Sequence, residues 1–118
     1  MSEMNLRHYA YLGDAVWELY VREHKISETP NAKELHKITT DKVKANFQAK
    51  MLNYLDTILT EEEHEIARRS RNLTVPVARR SNQAEYRQAT AFEALIGWWY
   101  LHNKERLNEI LNLLEKNL

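Results

Sequence analysis

Apolar residues recur near the start of the chain at the spacing of one helical face: Leu6, Tyr9, Gly13, Val16, Trp17 and Tyr20. That period predicts a first helix from about Leu6 to Lys25, closed by Ser27 to Pro30. After Asn31, the run Ala32 to Ile38 reads as a short helix. Thr39-Thr40-Asp41 then offers an N-cap for a longer helix ending near Leu59, with Val43, Phe47, Met51, Tyr54, Leu55 and Ile58 as its buried stripe. Thr60-Glu61-Glu62-Glu63 has the spacing of a capping box and predicts a helix to about Arg71. From Asn72 to Arg80 the pattern is broken by Pro76 and the β-branched Thr74, Val75 and Val77, so a loop is expected. Ser81 is read as the cap of a long helix to about His102. Asn103 is read as the cap of a last one, with Leu107, Ile110, Leu111 and Leu114 on its apolar side.

Composition supports an all-helical chain, because two glycines and two prolines in 118 residues supply too little turn chemistry for many short strands. The length suits one modest core, so residues 1–118 are read as one domain. Cysteine is absent, which excludes a disulfide framework and thiolate metal sites and suits a reducing compartment. With no signal-like start and no apolar run long enough for a membrane helix, the expected location is the cytoplasm.

Charge changes the picture more. The formal net charge is zero, which by itself argues against a partner bound through its phosphates. The distribution reverses that inference: Arg68, Arg69, Arg71, Arg79, Arg80 and Arg87 lie in a stretch whose only acid is Glu85. An ordinary charged surface is the plain alternative, but six arginines against one acid on a neutral chain favour nucleic-acid contact.

The segment from Ala91 to Leu101 is apolar nearly all round and carries one charge, Glu93. A carboxylate withdrawn from water must be hydrogen-bonded, protonated, paired or bound to a metal. Asp14 has a similar setting in Tyr11-Leu12-Gly13-Asp14-Ala15-Val16-Trp17. Glycine inside a helix costs about 1 kcal/mol against alanine. Both glycines of the chain stand in these two helices, Gly13 beside Asp14 and Gly97 one turn after Glu93. With Ala10, Ala89, Thr90 and Ala94 they predict a close crossing that joins two buried acids. Hard oxygen ligands of this kind suit Mg²⁺ and hydrolysis of a phosphodiester.

Tyr11-Leu12-Gly13-Asp14-Ala15-Val16 resembles the Leu-Gly-Asp-Ala-Val motif of the ribonuclease III catalytic domain, and Thr90-Ala91-Phe92-Glu93-Ala94-Leu95 resembles its second acidic motif. Order, separation and helical pattern agree over essentially the whole chain. No room remains for the double-stranded-RNA-binding domain of ribonuclease III proper, so the compact Mini-III branch is the better likeness. The resemblance implies a ribonuclease III endonuclease-like helical bundle. It also implies a homodimer that cuts both strands of double-stranded RNA, leaving 5′-phosphate and 3′-hydroxyl ends, with the 23S ribosomal RNA precursor as substrate. It implies Mg²⁺, for which Mn²⁺ can substitute, held by Asp14 and Glu93 as the catalytic acids, and no organic cofactor. RNA contacts are expected from Arg68, Arg69, Arg71, Asn72, Arg79, Arg80 and Arg87. Ribonuclease III proper carries two further acids where this chain has Ala10 and Thr90, and the Mini-III likeness implies that these losses are shared.

Those losses motivate the competing reading, a catalytically silent helical protein that binds double-stranded RNA. Other features have plainer explanations. Trp98-Trp99-Tyr100 suits core or dimer packing better than base stacking. His64-Glu65 begins like a zinc-protease motif, but Arg68 stands where the second histidine would be. Glu18, one turn after Asp14, reads as a solvated acid, and Lys33 and Lys37 as solvated cations.

Overall fold

The computed structural model describes the backbone of residues 3–118 and the side chains of residues 5–78 and 81–118. The RNA contacts expected of Arg79 and Arg80 therefore lie outside the described side chains. The helices are α1 (Glu3–Lys25), α2 (Ala32–Val43), α3 (Ala45–Leu55), α4 (Glu61–Arg71), α5 (Gln83–His102) and α6 (Lys104–Leu114). Short 3-10 turns cover Val77–Asn82 and Glu115–Asn117. No helix among the described residues is long and apolar enough to cross a membrane.

Where capping is local, the helix ends fall where the pattern puts them. The Thr60 hydroxyl accepts from the Glu63 N–H at 3.1 Å, and the Glu63 carboxylate accepts from the Thr60 N–H at 2.9 Å. Asn31 and Asn103 likewise accept from the N–H groups of Glu34 and Arg106.

Two boundaries differ. Thr39-Thr40-Asp41 caps nothing, because it lies inside α2. The Thr40 hydroxyl donates back to His36 O at 2.8 Å, as a helical threonine does when its backbone stays in the ladder. The break comes at Lys44, whose backbone is extended, and the Trp17 indole donates to the neighbouring Lys42 carbonyl at 2.8 Å. The shifted break gives α3 a different buried set: Gln48, Met51, Leu52 and Leu55 are inside, while Tyr54 and Ile58 are exposed. Ser81 does not cap α5 either. It falls in the preceding 3-10 turn, and α5 begins at Gln83 with no side-chain cap at Asn82.

Helix α5 is central, packing against α1, α3 and α4, and buries residues on every side, among them Phe92, Leu95, Ile96 and Trp99. The loop after α4 is pinned to this core through Leu73 and Val75. Beneath α4, the buried Glu63 carboxylate accepts from Trp99 Nε1 at 2.8 Å and from Arg106 Nε and Nη2 at 3.0 and 2.8 Å. Burial pushes this carboxyl up, but the Arg106 bonds, the Thr60 N–H and the Trp99 N–H together hold it below the ordinary value.

Glu63→Gln is expected to destabilise the fold by about 3 kcal/mol, the low end for breaking a buried pair, since Arg106 keeps Glu109 as a partner. The pH dependence has a definite sign. A depressed carboxyl contributes stability present above pH 4.5 and lost as pH falls through its folded pKa. Denaturant unfolding of both proteins from pH 7 to pH 3 should therefore show the difference shrinking in acid. A constant difference would mean that Glu63 acts by packing alone.

Candidate active site

Helices α1 and α5 cross antiparallel at close range. Trp17 meets Phe92 edge-on at 5.0 Å between ring centroids, and Tyr9 meets His102 at the other end, its hydroxyl 3.0 Å from Nε2. Between them the two glycines bring the backbones together. A Cβ on Gly13 would stand 1.7 Å from the Glu93 carbonyl oxygen, and one on Gly97 would stand 1.9 Å from that of Tyr9. Gly13 thus rests on the backbone of Glu93, so the residue after it, Asp14, is brought to the Glu93 side chain.

The two acids line one pocket of about 210 Å³ together with Arg7, Ala10, Tyr11, Tyr86 and Thr90. Ala10 and Thr90, the positions of the missing acids, thus flank the pair. The crossing is as expected, but the burial is not. Glu93 is half-buried, whereas Asp14 is exposed, because it lies on the flank of α1 that faces the opening.

Glu93 also receives a hydrogen bond from the amide of buried Gln48 on α3, 3.4 Å from Oε2. Gln48 was missed from the sequence. Its signal was a polar side chain between the apolar Phe47 and Met51, legible only once the helix break at Lys44 is known. Burial first, and then the neighbouring Asp14 carboxylate acting through its charge and a hydrogen bond, push the Glu93 carboxyl up to about 8, with the Gln48 amide opposing. Two hard oxygen donors that disfavour each other's charge are a setting a divalent cation relieves, so this donor set fits Mg²⁺. Among the described residues no group of three or more histidines or acids is placed to hold a metal, and further ligands would come from water and substrate phosphate.

The expected RNA-contacting residues divide. Arg68 is exposed and ion-paired to Glu65 at 2.6 Å; Arg69 and Arg71 are half-buried at the end of α4, and Asn72 is exposed. Arg87 turns inward instead. It is half-buried and donates through Nη1 to Arg71 O at 2.6 Å and Leu73 O at 3.3 Å, so it staples the end of α4 to α5. Glu18 pairs with Arg22 at 2.8 Å on the solvated side of α1. Trp99 is fully buried, in keeping with a packing role.

A ribonuclease III domain model matches residues 7–104, a span that includes both acids. The Mini-ribonuclease 3 of Gloeobacter violaceus is 44% identical over 116 residues, covering 98% of this chain and 86% of that protein. The Mini-ribonuclease 3 of Synechocystis sp. is 41% identical over 106 residues, covering 90% of this chain and 74% of that one. A crystal structure of a Fusobacterium nucleatum protein superposes with a TM-score of 0.83 at 35% identity, covering 95% of this chain and 92% of its own. With a family match across most of its length and relatives this similar, the chain belongs to the ribonuclease III family, endoribonucleases that act on double-stranded RNA and generally depend on a divalent metal.

Proposed function

We propose that residues 1–118 form one catalytic domain, an Mg²⁺-dependent endoribonuclease that hydrolyses double-stranded RNA to 5′-phosphate and 3′-hydroxyl ends through Asp14 and Glu93. The observation that carries this reading is the glycine crossing, which opens both carboxylates into one pocket at a solvent-facing surface. Asp14 and Glu93 would hold the ion, with Mn²⁺ able to replace Mg²⁺. When bound, the ion supplies positive charge at the scissile phosphate and makes a water more acidic.

The chain's own groups do the rest. Exposed Asp14 is open to a ligand from solvent, while half-buried Glu93, whose carboxyl burial and Asp14 push up, would give up its proton to a cation that compensates it. The Gln48 amide orients the Glu93 carboxylate. Arg68, Arg69, Arg71 and Asn72 contact backbone phosphates, with Arg79 and Arg80 from the following segment, and Arg87 holds that region in place. Phosphate contacts fix register without reading bases, so sequence preference should be weak.

A homodimer is part of the proposal. Tyr11, Ala15 and Leu19 recur at four-residue spacing on α1 and are all exposed, Tyr11 by 84% and Leu19 by 61%, an apolar stripe that a second copy would cover. The cytoplasm and the 23S ribosomal RNA precursor are the proposed location and substrate. The alternative, a silent RNA-binding protein, is favoured by Ala10 and Thr90, which leave two acids in the pocket.

The deciding experiment is cleavage of a labelled RNA duplex with Mg²⁺, with Mn²⁺ and with a chelator. Metal-dependent cutting to 5′-phosphate ends is expected. Duplex binding without cutting under either metal would establish the silent reading instead. Sedimentation of native protein against Leu19→Glu tests the dimer, and a native monomer at working concentration would refute it.

A further inference from the structure

We infer that Lys37 and Lys44 form a second phosphate-contact patch for the RNA duplex, across the acid pair from the arginine-bearing end of α4. The inference rests on the nuclease reading and deepens it by giving the substrate a hold on both sides of the acids.

Long-range contacts place the patch. Asp14 stands on α1 between Arg7, seven residues before it, and Trp17, three after it. At Arg7, Nη2 donates to Thr74 O at 3.3 Å, which puts the loop that follows α4 on that side. At Trp17, the indole donates to Lys42 O at 2.8 Å, which puts the junction of α2 and α3 on the other. From that junction α3 carries Gln48 to Glu93 Oε2 at 3.4 Å. Lys44 stands four residues before Gln48, about 6 Å along the helix axis. The junction is thus tied to both helices that bear the acids.

Its charge is positive and faces solvent. Lys37 Nζ and Lys44 Nζ lie 3.5 Å from the two carboxylate oxygens of Asp41, with the lysine side chains 77% and 49% exposed. Two cations share one acid, so one positive charge is left over. An ammonium carries three donors, and loose exposed pairs of this kind exchange readily for a phosphate oxygen. The intervening Lys42 turns inward, donating to Asn117 O at 3.1 Å and lying over the Phe47 ring. Glu18, next to Trp17, is engaged by Arg22 at 2.8 Å.

A duplex presents phosphates on both sides of the bond to be cut. Cations on one side alone would let it pivot about that hold, whereas a second patch fixes its axis over the acids. Lysine suits this task, because a point charge on a flexible stem follows the backbone without demanding one geometry.

The plain alternative is that both lysines are solvated and only steady the end of α2 through Asp41. The double variants Lys37→Gln/Lys44→Gln and Lys37→Arg/Lys44→Arg separate the two. Each is measured for thermal midpoint, for kcat and KM on a labelled RNA duplex with Mg²⁺, and for the salt dependence of duplex binding in chelator. The patch predicts that the glutamine pair raises KM roughly tenfold while kcat at saturating duplex stays native. It also predicts a salt slope shallower by about two phosphates' worth. The arginine pair should keep native KM and slope, since charge is what binds. The midpoint should hold in both, because exposed pairs add little stability. The capping bonds of Lys44, from its N–H to Thr40 O and from the Gln48 N–H to its carbonyl, are backbone ones that the substitutions leave in place.

A lowered midpoint with a native salt slope would overturn the proposal in favour of the steadying role. Native KM and slope in the glutamine pair would overturn the patch and leave the nuclease reading standing. Native protein that neither binds nor cuts the duplex would overturn both.

Discussion

Glu93→Gln is expected to lower duplex cleavage by roughly a thousandfold or more while making the metal-free protein more stable in alkali. The first effect follows from losing one of two acids that would hold the ion, since metal stabilisation of phosphoryl-transfer charge is worth several kcal/mol. The second follows from linkage. The Glu93 carboxyl titrates near 8 in the fold against an ordinary 4.5, so the folded chain holds that proton more tightly than the unfolded one. Its stabilising contribution is fully present below pH 4.5 and is lost as pH rises through 8. Glutamine cannot ionise, so the variant avoids that loss.

In chelator, the thermal midpoints of native and variant should lie close at pH 5 and separate by pH 9, by an amount corresponding to at most a few kcal/mol. Adding Mg²⁺ should raise the native midpoint and leave the variant nearly unmoved. Asp14→Asn should abolish cleavage as well, and by removing the facing charge it should lower the Glu93 pKa. Retention of cutting by either variant would remove these acids from the chemistry. Midpoints that run parallel from pH 5 to pH 9 would mean that Glu93 is not confined as described.

Gly13→Ala and Gly97→Ala should each destabilise the fold by about 3 kcal/mol or prevent folding, against what helix propensity alone predicts. In an isolated helix alanine gains about 1 kcal/mol over glycine. Here the added methyl carbon would meet a backbone carbonyl at 1.7 or 1.9 Å, and a carbonyl in the middle of a helix cannot rotate away. The two helices would have to separate, opening the interface beside Trp17 and Phe92. Because Asp14 and Glu93 hang from this crossing, kcat should fall even in a variant that still folds. Denaturant unfolding combined with cleavage by the residual folded fraction tests both points. A midpoint at or above native for either alanine variant would refute the close-crossing account.

That Asp14 and Glu93 would line one pocket was legible because its signals are local to two segments: an acid amid apolar neighbours, and a glycine tolerated inside a helix. The same signals could not report burial. Both acids were expected inside, yet Asp14 is exposed, because one residue's step past Gly13 moves a side chain from the crossing to its flank. The arginine cluster was legible as charge but not as direction. Arg87 looks like its neighbours in sequence, and only the carbonyls of Arg71 and Leu73, brought up from another helix end, turn it inward.

By itself the sequence determined the helical class, the capped starts of α4 and α6 and the pair of acids, because these depend on partners within a turn or on the character of a single helix face. The tertiary structure decided the break at Lys44, the uncapped start of α5, the reach of Gln48 to Glu93 and the placement of Arg7 beside the acids. Each of these depends on a group far off in the chain: Trp17 on Lys42 O, Arg87 on Arg71 O, Gln48 on Glu93, Arg7 on Thr74 O. No local period encodes such partners, since they meet only after the glycine crossing has set how closely α1 and α5 approach.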